Sequence, residues 1–116
     1  MAPGSQTKIW MSNERILNIL GLARRASKLA LGQDKTIKSI LDRKAKLVVL
    51  SRDCGAAAKR QITGKAETAG IRILTLGSSR EELGQAVGIP GSSSIGVLDA
   101  GFAALIESGY REQVED

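Results

Sequence analysis

Leu47-Val48-Val49-Leu50 is an unbroken apolar run between Lys44-Ala45-Lys46 and Ser51-Arg52-Asp53. Four residues suit a strand better than a helix, and the β-branched pair in the middle favours extended backbone. Because no position in the run is polar, neither face of the strand can meet water, and helices must cover both. The run is predicted as the central strand of a sheet.

Helical spacing appears on both sides of it. Upstream, Ser12 can cap a helix with Glu14 in its first turn, and Ile16, Leu17, Ile19, Leu20 and Ala23 recur at helical intervals to about Ala26. Lys28 to Leu31 is short enough for a strand. Gly32 turns the chain into a second helix with Thr36, Ile37, Ile40 and Leu41 as its buried stripe. Downstream, Asp53 to Ala69 reads as a third helix with Ala56, Ala57, Ala58, Ile62 and Ala66 available for packing, stopped by Gly70. Ile71 to Leu76 is the next strand, and Ser78 or Ser79 caps a helix from Arg80 to Val87. After the loop at 89–94, Ile95 to Leu98 gives a fourth strand. Asp99 caps a closing helix, Ala100 to Ser108, with Phe102, Leu105 and Ile106 inward. Alternating helices and short strands predict an α/β fold, a sheet sandwiched between helix layers. Residues 1–11 are read as a flexible tail, 12–109 as a single domain and 110–116 as a second tail.

The 116 residues suffice for one domain with one core, and the 25% charged content argues against a wholly disordered chain. Its 17 Lys and Arg are unevenly spread: 14 fall in residues 1–65 against four acids, and three fall in 66–116 against eight, so the halves carry +10 and −5. Such polarity suits a polyanion bound by one side of the molecule. With only Trp10, Phe102 and Tyr110 as aromatics, no row of platforms exists for splayed bases, so structured RNA, or a contact dominated by the backbone, is favoured. The absence of a long apolar run and of a secretory signal predicts a cytosolic chain that does not enter membranes. A monomer is expected.

The densest functional signal is Gly32-Gln33-Asp34-Lys35-Thr36-Ile37-Lys38. A helix start exposes backbone N–H groups and the positive end of the macrodipole, and Lys35 and Lys38, three apart, share one face of its first turns. Asp34 stands at or beside the cap. Arg24, Arg25 and Lys28 lie just upstream, so folding is expected to gather five cations on one rim. A second loop, Pro90-Gly91-Ser92-Ser93, offers close backbone approach and hydroxyl donors, and would lie beside Gly32 if the first and fourth strands are neighbours.

Catalytic signals are missing. Neither the dinucleotide nor the P-loop glycine spacing occurs, adjacent Glu81 and Glu82 diverge on a helix, and Cys54 has no histidine to activate it. A single cysteine and no histidine supply no cysteine-histidine metal set. The chain is therefore read as a non-enzyme without cofactor or metal, with Cys54 as a half-buried packing residue. A protein-interaction module of the translation apparatus, using the acidic half, is the alternative.

Taken together, Leu22-Ala23-Arg24-Arg25-Ala26, the Gly32 to Lys38 turn, Lys44 to Ser51, Glu82-Leu83-Gly84-Gln85-Ala86-Val87-Gly88 and Val97 to Phe102 resemble one family. It is the kink-turn RNA-binding family of ribosomal proteins called L-seven-Ae, in its small bacterial YlxQ-like branch. The resemblance implies a three-layer α/β/α sandwich around a four-stranded mixed sheet. It also implies an RNA site built from the turn before the second helix and the loop before the last strand. The family's turn reads Gly-x-Asn-Glu-x-x-Lys, which places Gly32 and Lys38 on matching positions, while Asp34 stands for an amide and Lys35 for a carboxylate. Lysine can donate to a guanine edge but cannot accept from it, so contacts to the RNA backbone survive this change better than base reading does.

Overall fold

The computed structural model describes the backbone of residues 3–115 and the side chains of residues 13–111. In chain order the elements are α1 Pro3–Arg25, β1 Leu29–Leu31, α2 Gln33–Leu41, β2 Leu47–Leu50, α3 Ala56–Ala69, β3 Ile73–Thr75, α4 Arg80–Val87, β4 Ser94–Val97 and α5 Ala100–Glu115. The sheet order is β1-β4-β2-β3, with β2 parallel to β3 and β4 antiparallel to both β1 and β2. The sheet is therefore mixed, and β2 lies inside it, as its sequence requires.

All four residues of β2 are fully buried. Successive strand side chains point to opposite faces, so Leu47 and Val49 pack with Ile16, Leu20, Leu83 and Ile106 from α1, α4 and α5. Val48 and Leu50 enter a second cluster with Ile40, Ile62 and Ala66 from α2 and α3. Three helices therefore cover one face and two the other. At ~25 cal/mol per Å² of apolar surface, burying each of these aliphatic side chains contributes about 1.5–3 kcal/mol, the main force holding the layers together.

Several sequence expectations are corrected. Helix α1 starts at Pro3 and takes in most of the segment read as a tail; proline is tolerated at the first helical position, where its missing N–H is not needed. Helix α5 runs on through Gly109 to Glu115. Gly109 is buried, and a Cβ there would stand 3.0 Å from Ile16 Cγ1, so it serves close helix packing rather than termination. Leu41 and Leu105 are exposed because each lies one position off its helix's inward stripe, where Ser39 with Ile40, and Ala103 with Ile106, fill the face. Ala56 and Ala57 are also exposed, since α3 starts three residues later than expected and meets the core mainly through Ile62 and Ala66. Cys54 is half-buried against the second cluster, as read.

Candidate nucleic-acid interface

β1 and β2 both end at one edge of the sheet and β4 begins there, a consequence of the antiparallel register that opposes Leu31 to Ile95 and Leu50 to Ser94. The Gly32 turn and the loop before β4 are thereby joined: Gly32 N–H donates to the Ser94 carbonyl at 3.1 Å, and Ser51 N–H to the Ser93 carbonyl at 3.0 Å. Gly32 has φ 95° and ψ 164°, a region open essentially to glycine alone. Its role is conformational, for a Cβ there would meet nothing within 4 Å.

Helix α2 starts at this turn with no side-chain cap, and α3 starts beside it after Gly55, also uncapped. The N–H groups of the first turn of each helix therefore lack intrahelical acceptors and carry the positive end of the dipole. Gln33 Nε2 donates to Gln61 Oε1 at 2.7 Å, tying the start of α2 to α3. Helix α4 begins at the same edge but is closed, since the Ser79 hydroxyl accepts from Glu82 N–H while the Glu82 carboxylate accepts from Ser79 N–H. Asp34 lies beside the cap, in the first turn of α2, and no side chain closes the helix start. Lys35 is exposed, and Lys38, also exposed, pairs with Asp42 at 3.0 Å.

In the neighbouring loop, Pro90 and Gly91 are exposed while Ser92 is buried with its hydroxyl donating to the Ile89 carbonyl at 2.7 Å. Ser92 thus shapes the loop and offers no free donor. The Ser94 hydroxyl lies buried without a partner next to the Gly32 turn. The loop is held down at Gly84, where a Cβ would stand 2.7 Å from the Ile89 carbonyl oxygen and 2.9 Å from Gly91 N.

The expected gathering of five cations does not occur at this edge. Arg24 and Arg25 end α1, and Lys28 precedes β1, where its carbonyl accepts from Leu98 N–H at the far end of the strand pair. Four strand steps, about 13 Å, separate Lys28 from Gly32. The intervening strand decides this, since Lys28 stands at the start of β1 and Gly32 just past its end.

Three other cations come to the edge unforeseen. Arg52 follows β2, Lys59 lies in the first turn of α3, and Arg80 begins α4. Arg80 N–H donates to Asp53 Oδ1 at 2.8 Å, its guanidinium pairs with Asp53 Oδ2 at 3.6 Å and also bonds the Asp53 carbonyl. Arg52 donates weakly to the Gly77 carbonyl at 3.4 Å. The Asp53 carboxyl is held below its ordinary value, first by the Ser51 hydroxyl beside it, which forms no full hydrogen bond; desolvation opposes this, and Arg80, through its N–H and its charge, adds to the lowering. The tendency of ligands to sit beyond the carboxyl ends of parallel strands, here β2 and β3, is the signal that would have pointed to Arg52 and Arg80.

A family model described as "Ribosomal protein L7Ae/L30e/S12e/Gadd45 family" matches residues 14–107. The chain belongs to this family. Relatives in it include the RNA-binding protein YlxQ of Enterococcus faecium, 33% identical over 79% of this chain and 87% of its own. YlxQ of Bacillus subtilis is 34% identical over 80% of this chain and 92% of its own. The large ribosomal subunit protein eL30 of Tetrahymena thermophila is 34% identical over 84% and 95% respectively. Among solved structures, a protein of unknown function from Bacillus halodurans superposes with TM-score 0.74 at 37% identity, covering 80% of this chain and 97% of its own. The Giardia lamblia 15.5kD RNA binding protein shares the fold at TM-score 0.71 and 14% identity, over 90% of this chain and 89% of its own. The family thus matches the resemblance read from the sequence, YlxQ-like branch included, and the mixed sheet between helices is a fold shared with these solved structures.

Among the described residues, no helix is long and apolar enough to cross a membrane, and no three His, Cys, Asp or Glu side chains form a metal-binding group.

Proposed function

We propose that this chain is a non-catalytic binder of structured RNA, a kink-turn or similar bulged helix, working with ribosomal or regulatory RNA in the cytoplasm. One observation carries the reading: two uncapped helix starts, α2 and α3, open side by side next to the Pro90–Ser93 loop. Backbone N–H groups and dipole ends of this kind receive phosphate oxygens, while Lys35, Lys38, Arg52, Lys59 and Arg80 supply the charge. The loop residues Pro90, Gly91 and Ser93 offer a surface low enough for a sugar edge to approach, with Gln33 and Asp34 at its border. The names of the YlxQ relatives support the same partner.

Lys35 can donate to guanine O6 or N7 but not accept from its N–H groups, so affinity rests on the backbone more than on base edges. Four or five engaged phosphates give a slope of log affinity against log salt of roughly −3 to −4.5. The test compares a kink-turn RNA with the same RNA lacking its G·A pairs, across salt, for the natural chain and for Lys35→Ala/Lys38→Ala. The expected result is a steep slope, weaker binding by the variant and a preference for the kinked RNA. A flat slope with unchanged binding by the variant contradicts it and favours the protein-interaction alternative.

A further inference from the structure

The end of the sheet opposite Gly32 carries its own cation cluster. Helices α1 and α2 both close in the same way: the first residue past the cap is left-handed, Ser27 at φ 59° and Arg43 at φ 59°. In α1, Ser27 N–H donates to the Arg24 carbonyl and Lys28 N–H to the Ala23 carbonyl; in α2, Arg43 N–H donates to Ile40 and Lys44 N–H to Ser39. Each is a complete Schellman turn that delivers a lysine toward the start of a strand. The two turns flank the end of β4, because Leu98 N–H donates to the Lys28 carbonyl and Lys46 N–H to the Val97 carbonyl, from opposite sides of that strand.

Lys28, Arg43, Lys44 and Lys46 therefore stand at one end of the sheet, all exposed, with Arg24 and Arg25 at the end of α1 on its other face, and none makes an ion pair among the described residues. The carboxylates on the same turns are engaged elsewhere: Asp42 holds Lys38 at 3.0 Å, and Asp99 caps α5 by accepting from Phe102 N–H at 3.0 Å. Cations at helix ends do offset the dipole, but that accounts for Arg24 and Arg25 and not for Lys28 and Lys46, which stand at strand starts. About 13 Å of strand separates this cluster from the Gly32 edge, more than a screening length of about 8–10 Å, so the two act as separate charge centres.

We infer that this end is a second RNA-binding surface, which grips the phosphate backbone of a duplex segment distinct from the one seated at the Gly32 edge. Its unpaired charged groups are ammonium and guanidinium donors, while the carboxylates nearby, Asp42, Asp99 and Glu107, are held by Lys38, Phe102 N–H and Arg72, which is the chemistry of sequence-independent phosphate contact. The surface would let the protein clamp two RNA segments at once. The inference rests on the RNA-binding reading above for its first segment but is measured independently of it.

The experiment pre-loads the natural chain with kink-turn RNA and titrates a fluorescent blunt-ended RNA duplex, then repeats this with Arg43→Gln/Lys44→Gln/Lys46→Gln. The expected result is a ternary complex for the natural chain; the variant keeps kink-turn binding and thermal stability but loses duplex binding, its salt slope smaller by about 2 to 2.7. Duplex that merely displaces the kink-turn RNA overturns the inference, since only one surface then exists. Undiminished duplex binding by the variant also overturns it, and with a lowered melting temperature it marks the cluster as helix-end stabilisation. Displacement of the duplex by polyglutamate at equal charge concentration overturns RNA as the occupant and points to an acidic protein. Duplex binding without kink-turn binding leaves this surface standing and removes the proposed edge site, whereas the reverse removes only this surface.

Discussion

At the Gly32 end of the sheet, cations stand among open N–H groups of two helix starts; at the Lys28 end they follow Schellman turns whose last carbonyls are already satisfied. Similar charge therefore meets opposite helix polarity. At the first end the dipole adds to the side chains and the backbone gives directional donors, while at the second the dipole subtracts from them and only the side chains can bind. Under the proposed reading, directional donors at the Gly32 end select a particular RNA shape. The Lys28 end can hold a phosphate backbone without reading it, and more weakly per cation.

The contrast breaks most severely at Gly84, which touches no charge. In Gly84→Ala the new methyl meets backbone atoms of Ile89 and Gly91, which cannot swing aside, so about 3 kcal/mol of stability is lost and the loop lifts from the edge. Urea unfolding checks the loss, and kink-turn binding should fall more than duplex binding. Gly32→Ala is next, at about 2 kcal/mol, because alanine is strained at φ 95° whatever the space around it. The same denaturation curve reads it.

At the other end the sign reverses. Ser27 holds a left-handed conformation without being glycine, so Ser27→Gly should raise stability by about 0.5 kcal/mol, read as a shift in the urea midpoint, with kink-turn binding unchanged. The smallest effect lies in pH. The Asp53 carboxyl is depressed in the folded state, so it adds stability above its ordinary 3.8, and that increment is lost as pH falls through the depressed value. Asp53→Asn should flatten this part of the acid limb of melting temperature against pH and leave the curve near neutrality with a constant offset only.

How much of this was readable beforehand differs between the two ends. The doubly buried Leu47–Leu50 strand, the Asp99 cap and the Gly32 turn each follow from local residue chemistry, and all were visible in sequence. The pairing of the two loops was visible only as a condition, since it depends on β1 lying against β4. Arg24, Arg25 and Lys28 were expected at the Gly32 edge because they are near it along the chain, but the strand between them carries the chain from their end of the sheet to the other. Arg52 and Arg80 were missed for the complementary reason: they are 28 residues apart in sequence and come to one edge through a parallel strand pair. Ser92 illustrates a further limit, for a serine in a glycine-proline loop reads as a free donor until its hydroxyl is seen bonded to Ile89.

Amide chemical shifts during titration with kink-turn RNA test the central claim most directly. The account predicts that Gln33 to Thr36, Ala56 to Ala58 and Gly91 to Ser94 move together at the first additions, while Lys28, Lys44 and Lys46 stay in place until duplex RNA is added. Early shifts confined to Lys28, Lys44 and Lys46, with the starts of α2 and α3 unmoved, would contradict it.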